Sequence, residues 1–486
     1  MKTLIKKGTV VTASETLQAD VLVEDEKVAA IALDLAVQAD RTIDATDRYV
    51  IPGGVDVHTH FDLPFGGSFC SDDFGTGTRA AAFGGTTTCV DFALQDYGES
   101  LRQGLDRWFE KGQKAQTDFG LHMIVREVND QVLKEMDQLV GEGITSFKLF
   151  MAYPGVFMLD DAAIFKAMQR AADSGALIMM HAENGGPIDV LVQQHLAEGK
   201  TDPVYHGLTR PAAMEGEAVH RVFKMAELAG APAYIVHLSS RDALEAVHRV
   251  FMMAELAGAP AYIVHLSSRD ALDALQEARD RGVAAYAETC PQYLYLSLDD
   301  LARPGFEGAK FVCSPPLRSK DHQDELWKGL AQGDLQIVAT DHAPFNFKGQ
   351  KDMGRDSFAD IPNGLPSVED RVTLIFQRVR SGQLTPSRWV ELIATNPAKM
   401  FGLYPRKGTI GPGFDADIVV FDPNRERVIS AENHHMNVDY SCYEGMTVWG
   451  LPEVVMQRGN VLVENDQWLG TEGGGSFVPR SRFQEP

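Results

Sequence analysis

Val50-Ile51-Pro52-Gly53-Gly54-Val55-Asp56-Val57-His58-Thr59-His60 is an apolar run, punctuated by Pro-Gly-Gly, that ends on two histidines one residue apart. Val55–His60 has strand character. Residues two apart on a strand face the same side, so both imidazoles can reach one point. Further apolar runs of strand length follow at Thr86–Phe92, Gly120–Val125, Ser146–Phe150, Leu177–His181, Tyr262–Leu266, Ala284–Glu288 and Gln336–Thr340. Amphipathic stretches such as Asp161–Ser174 and Ala271–Arg281 separate them. This alternation predicts an α/β protein built on a (β/α)8 barrel over residues 51–400, with its chemistry at the C-terminal ends of the strands.

The flanks read differently. Residues 1–50 and 401–465 carry short segments with period-two alternation, among them Asp20–Val23 and Ala416–Phe421. Neither block is long enough to close a β core alone, so the two are expected to combine into one smaller composite β-sandwich. The tail, 466–486, is glycine-rich and polar. It is expected to form no core element and to lie on a neighbouring subunit.

One feature resists an eight-stranded count. Residues 217–244 and 245–272 are tandem copies of 28 residues that differ only at Lys224 and Met252. Each encodes a helix, a turn and the strand Tyr-Ile-Val-His-Leu, so counting both gives one strand too many. The expectation is that one copy is expelled. Expulsion near Gly230–Ala231, at the barrel bottom, would leave the mouth clear and put His265 rather than His237 at the rim.

Bulk properties exclude several classes. A net charge of −23, without a basic cluster, repels nucleic acid and anionic membranes. The cysteines at 70, 89, 290, 313 and 442 form no CxxC pair, which fits a reducing compartment without disulfides. The N-terminus has no apolar signal region and no stretch is long enough to span a bilayer, so a cytoplasmic location is expected.

The polar residues that end the apolar runs form a pattern. His58 and His60, His181 in MMHAEN, His237 and His265 in the two YIVHLSS copies, Asp341 in IVATDHAP and Lys148 in ITSFKLFMAY all fall at one end of the predicted barrel. Two histidines alone could be surface residues; so many potential ligands at one rim point to a metal site. A buried lysine beside cations loses its proton. It can then take up CO2 as a carbamate, whose two oxygens can bridge two metal ions.

The strings GGTTT (84–88), GITSFKLFMAY (143–153), HAENG (181–185), ETCPQYL (288–294), SPPLR (314–318), IPNG (361–364), FGLYPRKGTI (401–410) and GFDADIVVFDP (413–423) resemble the dihydropyrimidinase/D-hydantoinase family of the amidohydrolase superfamily, a family of TIM-type barrels. The resemblance covers nearly the whole chain apart from one repeat copy. It implies a cyclic amidase that opens 5-substituted hydantoins or 5,6-dihydropyrimidines with two divalent metal ions, zinc being the expected species. It implies that Lys148 is the carboxylated bridging lysine, that His58, His60 and Asp341 hold the first metal, and that His181 and one repeat histidine, His265 or His237, hold the second. Asp341 would be the general base, and Tyr153 would steady the oxyanion. Ser314 and Asn363 would hold the cyclic amide, largely through main-chain groups. A homotetramer or homodimer is implied as well. Leu63, Phe65, Leu94 and Phe157, in loops after strands, are candidates to face the substrate's exocyclic group. Arg79, Glu215 and Arg210 are open as supporting charges.

Three alternatives bear weighing. Dihydroorotases carry an arginine soon after HxH; here Phe61-Asp62-Leu63 follows. An allantoinase takes a more polar substrate than these apolar loops suggest. A non-catalytic dihydropyrimidinase-like scaffold would lose metal ligands, and this chain keeps them.

Overall fold

The computed structural model describes residues 1–231, 233–238 and 261–486, with only the backbone of Ala233, His237 and Leu238. Two sheets organise the chain. The first is wholly parallel and runs, in chain order, through Gly54–Thr59, Thr86–Leu94, Asp118–Ile124, Ser146–Phe150, Leu177–His181, Ala233–Leu238, Ala261–Leu266, Ala285–Thr289 and Ile337–Val338. Thr86–Leu94 is buried at every position, as a strand covered on both faces must be. The helices outside the sheet obey local rules. Asp161–Ser174 buries Ile164, Ala167, Met168 and Ala171, one stripe at helical spacing. Its N-cap is Asp160, whose carboxylate accepts from Ala163 N, and it stops at Gly175 with φ +70°.

The sheet curls until its first and last strands meet. Thr59 bridges His342 in parallel, and His60 N donates to His342 O at 2.8 Å. Buried Arg371 spans the seam, donating to Val55 O (3.0 Å) and Val338 O (2.9 Å). Asp56, also buried, accepts from Thr340 N at 3.1 Å and Thr340 Oγ1 at 2.6 Å. The architecture is the expected TIM-type barrel.

The strand count departs from expectation. Both repeat strands enter the sheet, side by side and in phase, with Tyr234 opposite Tyr262 and Ile235 opposite Ile263. The expected eight strands are therefore nine, and neither copy's strand is expelled. The reason is physical. A Tyr-Ile-Val strand left outside would expose its apolar side chains and orphan its backbone donors. Pairing the copies satisfies both edges, and the two tyrosine rings stack at 4.4 Å.

The second sheet joins the two ends of the chain, as the sequence suggested. Tyr49–Pro52 pairs with Ile418–Val428 antiparallel and with Lys2–Val11 in parallel. A separate core of Ile5, Val10, Val21, Val50, Ile418, Val420 and Val454 lies within it. Buried Lys407 ties this sheet to the barrel floor, 2.6 Å from Asp118, 2.9 Å from Asp417 and 3.0 Å from Asp415. Burial alone would raise the Asp415 carboxyl, but Lys407, Lys27 and Arg406 bring it to about 2.

The tail also departs from expectation. It packs on its own barrel, where Gly475 N, Val478 N and Arg480 N donate to Ala115 O, Phe119 O and Gly143 O. Val478 and Arg480 are buried, and Arg480 Nη2 reaches Leu121 O (2.6 Å) and Ser146 Oγ (2.7 Å). Glycine allows the close approach: a Cβ on Gly475 would collide with Thr117 O. Among the described residues no helix is long and apolar enough to cross a membrane.

Lys407→Met would strip Asp118 and Asp417 of their buried ammonium, leaving Asp118 only Arg458 Nε at 3.3 Å. The expected loss is about 3–5 kcal/mol, read as a lower urea midpoint; an unchanged midpoint would remove this contact from the account of stability.

Candidate active site

Closure of the barrel brings His58 and His60, from the first strand, beside Asp341, which follows the last. Asp341 Oδ1 lies 3.4 Å from His58 Nε2, 3.2 Å from His60 Nε2 and 3.6 Å from His265 Nε2. Lys148 Nζ lies 3.3 Å from His58 Nε2. All five residues sit at the C-terminal rim, over a floor made by Phe92. The His58 and His60 rings lie 4.5 and 4.8 Å from the Phe92 ring, and Lys148 Nζ lies 4.5 Å above it.

This setting decides the protonation states. Burial, with help from His265 and Lys148, holds His58 well below the usual imidazole range. Burial likewise brings His60 to about 4. Burial works against the charge of Asp341, but His265, His60 and His58 outweigh it and keep the carboxyl well below its ordinary value. Burial also brings Lys148 down to about 8, against the pull of Asp341 and Glu288. For His265, burial opposes a proton, while the Cys290 thiol and Asp341 more than offset it and raise the imidazole. Neutral imidazoles at His58 and His60, an ionised Asp341 and a Lys148 that gives up its proton readily suit a divalent cation, which would have to displace the proton that His265 favours.

The residues fit a metal ion on a second count. His265 Nε2 and His60 Nδ1 are buried with no hydrogen-bond partner among the described residues. Such atoms are costly unless something fills the gap. Ligand atoms of His58, His265 and Asp341 all lie within 4.8 Å of one another.

Backbone strain aims several of these groups. His265, Asp341 and Tyr153 have φ of +54°, +52° and +62°, the left-handed region that bulky residues avoid. Each follows or ends a barrel strand, where the turn swings its side chain into the mouth. His342, next to Asp341, points away instead: its Nε2 lies 3.1 Å from Asp72 Oδ2, and its Nδ1 accepts from Ser367 N at 3.1 Å.

The cavity above the cluster is lined by Leu63, Phe65, Lys148, Tyr153, Phe157 and His181, with Ser314 and Asn363 opposite. Phe65 and Phe157 stack at 6.1 Å. Ser314 Oγ accepts from Tyr153 Oη and Asn363 Nδ2, both at 3.2 Å. Burial first, then Glu183, raises the Tyr153 phenol, which therefore stays a donor. Leu94 is buried in the core and is absent from the cavity lining.

His181 faces the cavity but not the three-residue cluster: its Nε2 lies 3.0 Å from Glu183 Oε2. The strand Ala233–Leu238 stands between it and His265. The His237 side chain lies outside the described residues. Arg210 sits beside Glu183 at 3.8 Å and donates to His206. Glu215 is buried, and Arg79 packs over the Phe83 and Trp468 rings instead.

Sequence reasoning missed Glu288. Its Oε1 is 3.2 Å from His265 Nδ1 and 4.0 Å from His58 Nδ1, and Tyr262 Oη donates to its Oε2 at 2.6 Å. One buried carboxylate thus faces the back of two imidazoles. The signal was present as an acidic residue ending an apolar strand within ETCPQYL. Asp91 was missed too. It accepts from Phe61 N (2.7 Å) and Thr59 Oγ1 (3.1 Å), and burial raises it to about 7. It anchors the turn that leaves the two histidines. Glu288→Gln is expected to weaken metal retention by about 10- to 100-fold, measured by chelator competition. Retention equal to that of the parent chain would mean that Glu288 does not orient the imidazoles.

Comparison with known proteins agrees with this geometry. The amidohydrolase family profile matches residues 49–461. A D-hydantoinase of Streptomyces coelicolor is 54% identical over 489 residues, covering 99% of each chain. A D-hydantoinase of Geobacillus stearothermophilus is 47% identical, covering 99% of this chain and 97% of the other. The crystal structure of a dihydropyrimidinase from Brevibacillus agri superposes with a TM-score of 0.91 at 50% identity, covering all of both chains. On the strength of this full-length similarity, joined to a closed parallel barrel with histidine, lysine and aspartate at its rim, the chain belongs to the amidohydrolase family, in its D-hydantoinase/dihydropyrimidinase branch.

Proposed function

We propose that this chain opens cyclic diamides by hydrolysis, taking 5-substituted hydantoins to N-carbamoyl amino acids and 5,6-dihydropyrimidines to N-carbamoyl-β-amino acids. The observation that carries the reading is the convergence of His58, His60, His265, Lys148 and Asp341 beneath a cavity with apolar walls and a polar far side. The curated relatives named D-hydantoinase support the substrate class. The family implies a binuclear metal site, and zinc suits the imidazole and carboxylate donors. In this reading His58, His60 and Asp341 would hold one ion, His181 and one repeat histidine, His265 or His237, would hold the other, and Lys148, as its carbamate, would supply oxygens to both.

Bound metal ions would acidify a water molecule and polarise the ring carbonyl. The side chains do the rest. Asp341, ionised at neutral pH, accepts the proton released by the attacking water and passes it to the leaving ring nitrogen. Oxygen joins the carbonyl carbon, the C–N bond breaks, and the nitrogen leaves protonated. Tyr153, a phenol, donates to the oxygen on which negative charge develops. Ser314 and Asn363 hold the amide that does not react. Leu63, Phe65 and Phe157 receive the exocyclic group and keep water from it. No arginine lines this cavity among the described residues, which favours a neutral ring over a carboxylated one. A homodimer or homotetramer in a reducing cytoplasm completes the reading; the five cysteines are all free and buried.

Elemental analysis of the purified chain, paired with hydrolysis of hydantoin and dihydrouracil, tests the proposal. About two metal ions per chain with ring opening is the expected result. A folded protein with neither metal nor turnover would sink it. Asp341→Asn is expected to cut kcat by about 10²- to 10⁴-fold; a kcat within three-fold of the parent value would remove Asp341 as the base. Lys148→Ala is expected to lose metal and turnover together. Full metal content in that variant would exclude the bridging role.

A further inference from the structure

Lys351 is a fully buried lysine with no carboxylate partner among the described residues. It opens the short 3₁₀ helix Lys351–Asp356. Its Nζ donates to Val312 O at 3.1 Å and to Pro362 O at 2.9 Å. These carbonyls belong to the two loops that carry Ser314 and Asn363. The loops are joined to each other by Gly364 N, which donates to Val312 O at 3.0 Å, and by the Asn363–Ser314 hydrogen bond. Among the described residues Lys351 is the only donor to Pro362 O.

The segment that carries Lys351 grips a third loop. Gln350 Nε2 donates to Ser68 Oγ and Phe69 O, both at 2.7 Å, and so holds the hairpin that bears Phe65. The segment is itself fixed, because Asp439 accepts from Phe347 N at 2.6 Å and Lys348 N at 3.0 Å. Lys351 N donates to Asn346 O at 2.9 Å. Three walls of the cavity therefore depend on one short stretch, 346–351.

We propose that Lys351 is a positioning residue that locks the Ser314 and Asn363 loops into the spacing needed to hold the cyclic amide. An ammonium buried away from any carboxylate is costly, and burial brings Lys351 down to about 8. The thiols of Cys70, Cys313 and Cys442 around it stay protonated, since burial raises each of them. Two carbonyl dipoles on separate loops are what the charge gains in return, and a methylene chain of the same length would not join them. The proposal rests on the reading that Ser314 and Asn363 hold the ring. Lys351 itself touches no substrate and acts through those loops. The grip on the unreacting amide is the same in ground and transition states, so its loss falls on KM.

The test uses metal-loaded Lys351→Met and Lys351→Gln with hydantoin and dihydrouracil, alongside amide hydrogen exchange over 312–318 and 361–367. In Lys351→Met, KM is expected to rise about ten-fold or more with kcat within about three-fold and metal content unchanged. Lys351→Gln keeps a donor and is expected to fall between. Exchange in both segments should quicken together. A KM within about two-fold of the parent value in both variants, even with a lower Tm, would overturn the proposal and leave Lys351 a purely structural residue. If Lys351→Met does not fold, Lys351→Gln decides by the same criteria. If the parent chain opens neither ring, the functional reading falls, and the exchange measurement still decides the clamp: unchanged exchange overturns it.

Discussion

Closure between the first and last strands of the parallel sheet is the constraint on which the rest of the molecule depends. His58 and His60 come from residues near position 60 and Asp341 from nearly 300 residues later, and only the seam makes them neighbours. The seam is not held by a long ladder, since the last strand is only Ile337–Val338. Side chains supply what the backbone lacks. Arg371 bridges the carbonyls of Val55 and Val338, and Asp56 takes the amide and hydroxyl of Thr340. Both charges are fully buried and 3.9 Å apart at Arg371 Nε and Asp56 Oδ2, so each also moderates the desolvation of the other. The residue after Thr340 is Asp341. The seam and the site are thus one construction.

Above the seam, burial and charge are set against one another to prepare ligands. Apolar surroundings remove protons from His58 and His60, while His265 first, then His60 and His58, keep Asp341 ionised. Phe92 matters here because its ring underlies both histidines and Lys148, denying them water. Glu288 adds a carboxylate behind His58 and His265, and Cys290 Sγ meets His265 Nδ1 at 3.1 Å, both on the side away from the cavity. The strained backbone at Tyr153, His265 and Asp341 belongs to the same arrangement: rigid strands deliver the residues, and left-handed turns point them.

Much of this could be read in the sequence, for a clear reason. A histidine, lysine or aspartate ending a wholly apolar strand has nowhere to go but the rim, so His58, His60, Lys148, His181 and Asp341 stood out. The composite sheet was legible from period-two alternation at both ends of the chain. Other features were not. Periodicity says that a segment prefers to be a strand, not whether a sheet has room for it, and the two YIVHL copies turned on that point. The tail's own buried contacts, at Val478 and Arg480, were not legible because a glycine-rich composition hides them, whereas here glycine lets the backbone lie against Thr117. Glu288 and Lys351 escaped because their importance lies in partners far along the chain: two imidazoles for one, two loop carbonyls for the other. Leu94 was taken for a cavity residue by its place at a strand end, while Phe92, two residues earlier, proved to be the one beneath the histidines.

The paired repeat strands carry a consequence for the geometry of the ring. Strands in a sheet lie about 4.8 Å apart, so an in-phase copy enlarges the circumference by one such step without altering the pleat or facing of any other strand. Every side chain keeps its direction, inward or outward, because the added unit matches the register of its neighbours. What changes is the gauge of the bore. His181 and His265 now stand two steps apart around the rim, while His58, His60 and Asp341 keep their adjacency across the seam. Duplication of a whole strand-bearing unit therefore acts as a coarse adjustment of distance between one arc of the rim and another, made in increments fixed by the backbone hydrogen bond.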